Sequence, residues 1–306
     1  MNPLNDIISL LKPRAIVSKP ITGRGKWGVR YEAYGHPSYA IVLAGTGYLS
    51  LEGGPSVPLN CGDFVLLPAT PAFRFSSHRG MPCVDAEPSE SGVHYGEKGH
   101  PPDFSMLGGA FKIDLVNTPL MLTLLPGIIH IPAEGSRTGR LEKIVQLVRE
   151  ESQSDRPGKD MILARLMEIL LVESLRWLTI EENAAAGGLL AGLRHQGLAQ
   201  ALRAIHEDVS YRWTVAELGK RAGMSRSVFA SQFRKALGCA PIEYLSQWRL
   251  ALAQEALIRG NKSLDRLAYD IGYESASAFS TAFRRRVGCA PGAFAKKHKV
   301  AQHESK

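Results

Sequence analysis

Arg234 and Lys235 follow Phe233 in the stretch FRKALGCAP, and fifty positions on Arg284 and Arg285 follow Phe283 in FRRRVGCAP. Guanidinium and ammonium groups held at the same place in two copies of a nonapeptide suit a partner whose own charge repeats, and a phosphate backbone is such a partner. Six of the nine positions agree. The charge of the chain is distributed in the same sense: residues 194–306 hold 19 Lys and Arg against 9 Asp and Glu, whereas residues 1–193 hold 18 against 20. A basic rear third points to a polyanion.

Those four cations need elements to present them. Thr214 and Glu217 form a T-x-x-E capping box, Val215, Leu218 and Ala222 follow at helical spacing, and Gly223 stops the helix. Ser225 caps a second helix carrying Phe229, Phe233 and Leu237 on one stripe. The second copy starts at Ser263, with Leu264, Leu267 and Ile271, then Gly272, then Phe279, Phe283 and Val287. The copies align at an offset of 49 before the turn and 50 after it. An extra residue is tolerated in a turn, whereas inside a helix it would rotate the apolar stripe. The pattern predicts two helix-turn-helix units, about 214–238 and 263–288.

Between them, PIEYLSQWRLALAQEALIRG reads as a helix opened by Pro241 and ended by Gly260. Roughly 16 residues at about 1.5 Å each give a rod of about 24 Å. Successive major grooves on one face of B-DNA lie about 34 Å apart. Two units on such a rod reach neighbouring grooves if the DNA bends or one unit engages less fully; an evenly protected, straight footprint would contradict this.

With both units, the connecting helix, the inserted residue and the closing Gly-x-x-Pro in place, residues 195–297 resemble the DNA-binding domain of AraC/XylS-type transcription regulators. The resemblance implies base contacts from Arg226, Ser227, Ala230 and Ser231 in the first unit and from Ser277, Ala278 and Thr281 in the second. It places Arg234, Lys235, Arg284 and Arg285 beside phosphates. Members of the family often carry Arg where this chain has Ser231 and Thr281. Sequence choice then falls more on Arg226, on thymine methyls near the alanines, and on DNA shape. Phe229, Phe233, Phe279, Phe283 and Trp248 are expected in the core.

The front of the chain reads differently. YAIVLAGTGYLSLEGG and VPLNCGDFVLLPATPAFRF carry β-branched and aromatic runs punctuated by Gly and Pro, the pattern of a closed barrel or sandwich over about 15–125. Residues 76–103 read as a long loop or flap. Two helices follow within about 137–182, with Leu141, Ile144, Val145 and Val148 as the stripe of the first; the second is apolar on most of its circumference, which suits a subunit interface or, equally, a central core helix. Residues 183–194 read as a linker to a domain spanning 195–306. The segments YAIVLAGTGYLSL, GDFVLLP and the long helix resemble a cupin-type sensor domain. The expected fold class is therefore α+β: a cupin-like β-barrel over 1–182 with flanking helices, then an all-α domain of two helix-turn-helix units joined by a long helix.

A sensor implies a small-molecule effector, with Trp27, Arg30 and Phe73 as candidate pocket residues. Related sensor domains often have His where this chain has Ala40 and Phe73, and His78, His94, His100 and Cys83 are widely scattered, so no metal site, cofactor or catalytic residue is assigned. Cys239 and Cys289 read as small apolar corner residues, and Cys83 beside Arg79 as a redox-sensing pair to be weighed against an ordinary loop thiol. No apolar run is long enough to span a membrane and no cleavable leader is apparent, which suggests a cytoplasmic protein. The expectation is a sequence-specific, effector-responsive transcription regulator, not an enzyme. Its partners are double-stranded promoter DNA, RNA polymerase and a second copy of itself, and activation is the commoner mode in the family. Two alternatives stand beside it: a metal-dependent cupin enzyme with a DNA-binding appendage, which metal analysis would expose, and a DNA binder indifferent to sequence, which competitor DNA would reveal.

Overall fold

Alternation along the strands divides the front of the molecule into a core face and an outer face. The computed structural model describes residues 2–11, 13–87, 89, 92–112, 125–133, 139–180, 188–260 and 262–303. The chain forms two units, each with its own core.

The first unit holds eleven described strands: β1 (Arg14–Arg24), β2 (Gly28–Tyr31), β3 (Ser38–Ala44), β4 (Thr46–Leu51), β5 (Ser56–Asn60), β6 (Phe64–Leu67), β7 (Phe73–Ser76), β8 (Val84–Asp85), β9 (Val93–Gly96), β10 (Phe104–Lys112) and β11 (Ile129–Ile131). They pair as a six-stranded sheet, β11-β6-β3-β10-β1-β9, and a five-stranded sheet, β5-β4-β7-β2-β8. The cupin-like fold is thus a jelly-roll sandwich of two sheets, not one ring of continuously bonded strands. Ala40 and Val42, Val65 and Leu67, and Phe104 and Met106 from the larger sheet share one core with Val29 and Tyr31, Leu49, and Phe73 and Phe75 from the smaller. The segment expected as a loop or flap, 76–103, contributes β8 and β9, which pair in parallel with β2 and β1. His94 serves that pairing: it contacts Thr22 Oγ1 through Nδ1 at 2.9 Å and donates from Nε2 to the Glu97 carbonyl at 2.8 Å.

The run FVLL is buried at all four positions because its sheet is covered on both faces. The outer cover is α2 (Gly139–Ser152) and α3 (Lys159–Ile180), with Leu141, Ile144 and Val148 buried on α2. Asp63, in the turn before β6, is 1% exposed. It accepts from the amides of Asn60 (3.0 Å) and Ala133 (2.8 Å) and from His130 Nε2 (2.9 Å). Burial raises its pKa, but these hydrogen bonds outweigh burial and hold the carboxyl below its ordinary range.

The second unit takes in α1 (Pro3–Leu11) and the helices from Gly188 onward. Residues 183–187 of the expected linker lie outside the described residues; its remainder, Gly188–Arg194, is a helix, α4, burying Leu189 and Leu190. Next come α5 (Gln196–Glu207), α6 (Val215–Arg221), α7 (Arg226–Leu237), α8 (Pro241–Arg259), α9 (Leu264–Asp270), α10 (Ala276–Val287) and α11 (Pro291–His303). The capping box at Thr214 and Glu217 is complete, and Ser225, Ser263 and Ser275 cap α7, α9 and α10. Gly223 and Gly272 both have positive φ, and the N-cap serine follows two residues after the first and three after the second. The inserted residue therefore falls in the second turn.

His206 joins α1 to this unit. Nδ1 donates to Asp6 Oδ2 at 3.0 Å, Nε2 accepts from Tyr244 Oη at 2.8 Å, and the ring packs 4.4 Å from Trp248. Burial is the dominant influence and lowers its pKa to about 4, the Asp6 carboxylate offsetting this only in part. A group whose folded pKa is depressed contributes stability that is complete above its unfolded value near 6.5 and is lost as pH falls toward 4. The shift amounts to about 3 kcal/mol. Urea unfolding of the wild type should weaken over that window, and His206→Gln should flatten the dependence; a wild-type midpoint constant from pH 7 to 4.5 would refute the assignment.

Candidate nucleic-acid interface and ligand cavity

The two nonapeptides do the same job in the chain. Each ends the second helix of its unit, passes through a left-handed glycine (Gly238 at φ 78°, Gly288 at φ 87°), turns a Cys-Ala corner and starts the next helix at a proline. Pro241 and Pro291 are each followed three residues later by an aromatic side chain that folds back. Tyr244 meets Phe233 edge-on at 5.8 Å and Phe294 meets Phe283 at 5.3 Å. The phenylalanine pairs themselves repeat, Phe229 with Phe233 and Phe279 with Phe283, both at 5.5 Å and all four fully buried. Trp248 is buried as well. Burial pushes the Cys239 thiol up, in keeping with a corner residue that stays protonated.

Burying those pairs turns the rest of α7 and α10 outward. Arg226, Ser227, Ser231, Arg234 and Lys235 are exposed on α7, with Ala230 half-buried; Ser277, Ala278, Thr281, Arg284 and Arg285 are exposed on α10. Among the described residues no carboxylate pairs with Arg226, Arg234, Lys235, Arg284 or Arg285. Elsewhere in the unit four cations are ion-paired: Arg212 with Glu274 (2.7 Å), Arg259 with Glu255 (2.9 Å), and Lys262 and Arg266 with Asp270 (2.6 and 3.0 Å). Cations left unpaired on one face are available to an external anion. Val228 belongs with this set and was not anticipated. It occupies the place on α7 that Ala278 occupies on α10, and it is 46% exposed. An exposed β-branched residue in a polar helix turn was the available signal, and its methyls suit a thymine methyl.

In the sandwich unit, a cavity of about 240 Å³ opens between the sheets. Its walls are Ile21, Leu49, Val65, Leu67, Phe75 and Met106, with Tyr31 and Phe73 stacked at 4.8 Å and 9° and the backbone of Gly108 and Gly109 opposite. Tyr31 shares a 3.1 Å hydroxyl contact with Tyr95; burial foremost, and then that contact, pushes its phenol well up, and burial raises Tyr34 at the rim. Among the described residues Lys19 is the one charged residue of the wall, donating to the Ser89 carbonyl at 2.7 Å. Of the three candidate pocket residues, Phe73 lines this cavity. Arg30 does not: between inward-facing Val29 and Tyr31 it must point outward, where it meets Glu32 at 2.7 Å, Asp85 at 3.5 Å and Glu52 at 3.8 Å. Trp27 is in the core beyond the cavity wall, against Tyr95 and Phe104.

The sulfur chemistry is also redistributed. Arg79 lies over the Tyr48 ring at 5.5 Å and Cys83 donates to the Met81 carbonyl at 3.5 Å, whereas the guanidinium that touches a thiol is Arg149, against exposed Cys61. Among the described residues no three His, Cys, Asp or Glu side chains gather as a metal site, and no helix is long and apolar enough to cross a membrane.

The chain matches the cupin family over residues 2–179 and a helix-turn-helix domain family over residues 218–297. It is 33% identical to a putative AraC-like transcription regulator of Streptomyces lividans, covering 90% of this chain and 92% of that one. It is 31% identical to the HTH-type transcriptional regulator AlkR of Acinetobacter baylyi, over 82% and 85%. Among solved structures it is similar to the DNA-binding domain of AdpA, a global transcriptional factor, in complex with a target DNA: 31% identical, 35% of this chain and 96% of that one, TM-score 0.33.

If these cations meet phosphates as the sequence resemblance implies, removing one should weaken DNA binding alike on all sequences. Arg284→Ala or Arg285→Ala should each reduce the slope of log K against log salt by about 0.9. Arg226→Ala should instead reduce preference between sites, by about tenfold. Electrophoretic titrations at several salt concentrations on matched and mismatched duplexes separate the two; a salt slope unchanged by both arginine variants would place the phosphates elsewhere.

Proposed function

Because the chain belongs to the AraC-like transcription regulators, with a cupin domain ahead of its helix-turn-helix domain, we propose that it reads promoter DNA in a sequence-specific way and does so in response to a small molecule. The observation that carries the proposal is the matched presentation of α7 and α10. Each is rotated by a buried phenylalanine pair so that unpaired cations and small polar side chains share an outward face. In this reading α7 and α10 enter successive major grooves. Arg226, Ser227, Val228, Ala230 and Ser231 meet bases in one, and Ser277, Ala278 and Thr281 meet bases in the other.

The sandwich cavity is the effector site in this reading, and its chemistry bounds the ligand. An apolar protein cavity of about 150 Å³ takes benzene, and drug-sized sites start near 300 Å³. At about 240 Å³ with stacked aromatic walls, the cavity suits a single substituted ring. With Lys19 in the wall and no carboxylate there, the ligand is neutral or anionic. Ala40 and Phe73 give the wall apolar carbon where a catalytic cupin would want metal ligands, which favours sensing over catalysis. Leu147 on α2 and Met161, Ile162 and Ile169 on α3 remain exposed, which supports a homodimer formed through these helices. Ligand binding shifts the population of DNA-competent dimers in the cytoplasm, and recruitment of RNA polymerase makes the protein an activator.

Capture of genomic fragments by the purified chain at physiological salt tests the DNA reading. A few promoter segments sharing two short half-sites about one turn apart are expected, and uniform recovery with and without ligand would defeat sequence-specific reading. A panel of monocyclic aromatic acids and neutral aromatics, scored by thermal shift, tests the cavity: Ala40→Leu should abolish the shift and leave DNA binding intact. Sedimentation of the wild type and Ile169→Glu tests the dimer, and a reporter behind a captured promoter gives the sign of control.

A further inference from the structure

Arg249 sits on α8 between the two helix-turn-helix units and pairs with carbonyls, not with a carboxylate. Its Nε donates to the Val209 carbonyl at 2.8 Å, Nη2 donates to Ser210 at 3.3 Å and Tyr211 at 2.8 Å, and Nη1 donates to Gly272 at 3.3 Å. Val209, Ser210 and Tyr211 belong to the segment that leads into α6, the entry to the first unit. Gly272 is in the turn of the second. One planar guanidinium therefore bonds to both units at once, from the helix that joins them. A lysine, with one compact ammonium, lacks the fork that reaches four acceptors in this arrangement.

The surroundings leave no room between the bonded segments. Gly272 has φ +80°, and a Cβ there would stand 2.4 Å from the Ser210 carbonyl oxygen and 2.5 Å from Arg249 Nη2. Arg212 and Glu274 close the outer side of the same junction at 2.7 Å, and the Arg249 guanidinium lies 6.0 Å from the Tyr273 ring centre. The inserted residue of the second turn lies beside this junction, between Gly272 and Ser275.

α8 also packs into both units: Tyr244 meets Phe233 of the first, and Leu250, Ala253 and Ile258 share a core with Leu267, Ile271, Phe279 and Phe283 of the second. Apolar packing of this kind is non-directional, whereas the hydrogen bonds from Arg249 are directional and reach both units. We infer that Arg249 is a positioning residue for DNA reading: by tying the entry of the first unit to the turn of the second, it sets the distance and angle between α7 and α10 and hence the half-site spacing the protein accepts. This rests on the two-headed reading of DNA proposed above. Arg249 touches no base in that reading. It selects among sites through geometry, much as a coupling between reading heads.

The test uses the full chain and a duplex panel built from a captured operator, its half-sites moved together or apart in single base-pair steps. Each step rotates one half-site by about 34° relative to the other. The wild type should bind best at one spacing. Arg249→Lys removes the fork from one side, and Gly272→Ala drives the same carbonyls apart from the other. Both should lose about tenfold at the preferred spacing, lose less at the neighbouring spacings, and bind a single half-site as the wild type does. That last readout separates misplacement from misfolding, since a chain that had merely lost its fold would fail on every duplex. A spacing profile for Arg249→Lys superimposable on the wild type would overturn the inference alone, as would equal losses on all duplexes and the single half-site. A wild type without any preferred spacing would overturn it together with the two-headed reading.

Discussion

Two buried phenylalanines four residues apart govern the DNA-binding half of this molecule. On a helix such a pair lies on one side, so sinking it into a core fixes the rotation of the whole helix. Phe229 with Phe233 and Phe279 with Phe283 do this in both units with the same ring separation. The consequence runs straight into the sequence. The two residues after the second phenylalanine are carried about 100° and 200° around the helix axis, away from the core, and those residues are Arg-Lys in one copy and Arg-Arg in the other. The glycine, corner and proline that follow are shared because each copy must leave its helix and bring an aromatic side chain back onto the same pair.

How much of this could be read in advance depended on the distance over which each feature is decided. Caps, turns and apolar stripes are settled within a few residues, and Thr214, Ser225, Ser263 and the inserted residue after Gly272 were all legible on that basis. The cavity was less so, because strand parity must be known before an inward residue can be told from an outward one. Phe73 pairs with Tyr31 across β7 and β2, and Arg30 pairs with Arg74 one register step away, yet Phe73 lines the cavity and Arg30 faces solvent. Gly188–Arg194 was hidden by composition: alanines and glycines ahead of it suggested a linker, and Leu189 and Leu190 become informative only once their burial is known. Arg149 against Cys61 joins residues 88 apart, and no local pattern announces it.

The halves also handle polar groups in opposite ways. In the sandwich, the buried Asp63 carboxylate is satisfied internally by three donors, and His94 is spent on holding β9 to β1. On the outward faces of α7 and α10, the cations have no carboxylate partner among the described residues, although acidic residues are present in the same unit. Withholding a counter-ion costs little at the surface, where an ion pair is worth under about 1 kcal/mol, and leaves each charge free to displace counter-ions from a polyanion.

The place of α1 bears on how the chain is made. Its residues are translated ahead of the sandwich, yet Leu4, Ile7 and Leu10 are buried in a unit whose remaining helices begin at Gly188, and Asp6 meets its histidine 200 residues later. The sandwich in between can complete its core from contiguous chain as synthesis proceeds. A helix translated ahead of the sandwich waits for its partners until the helices from Gly188 onward have emerged. In order of completion, α1 precedes the sandwich in the chain and follows it in folding.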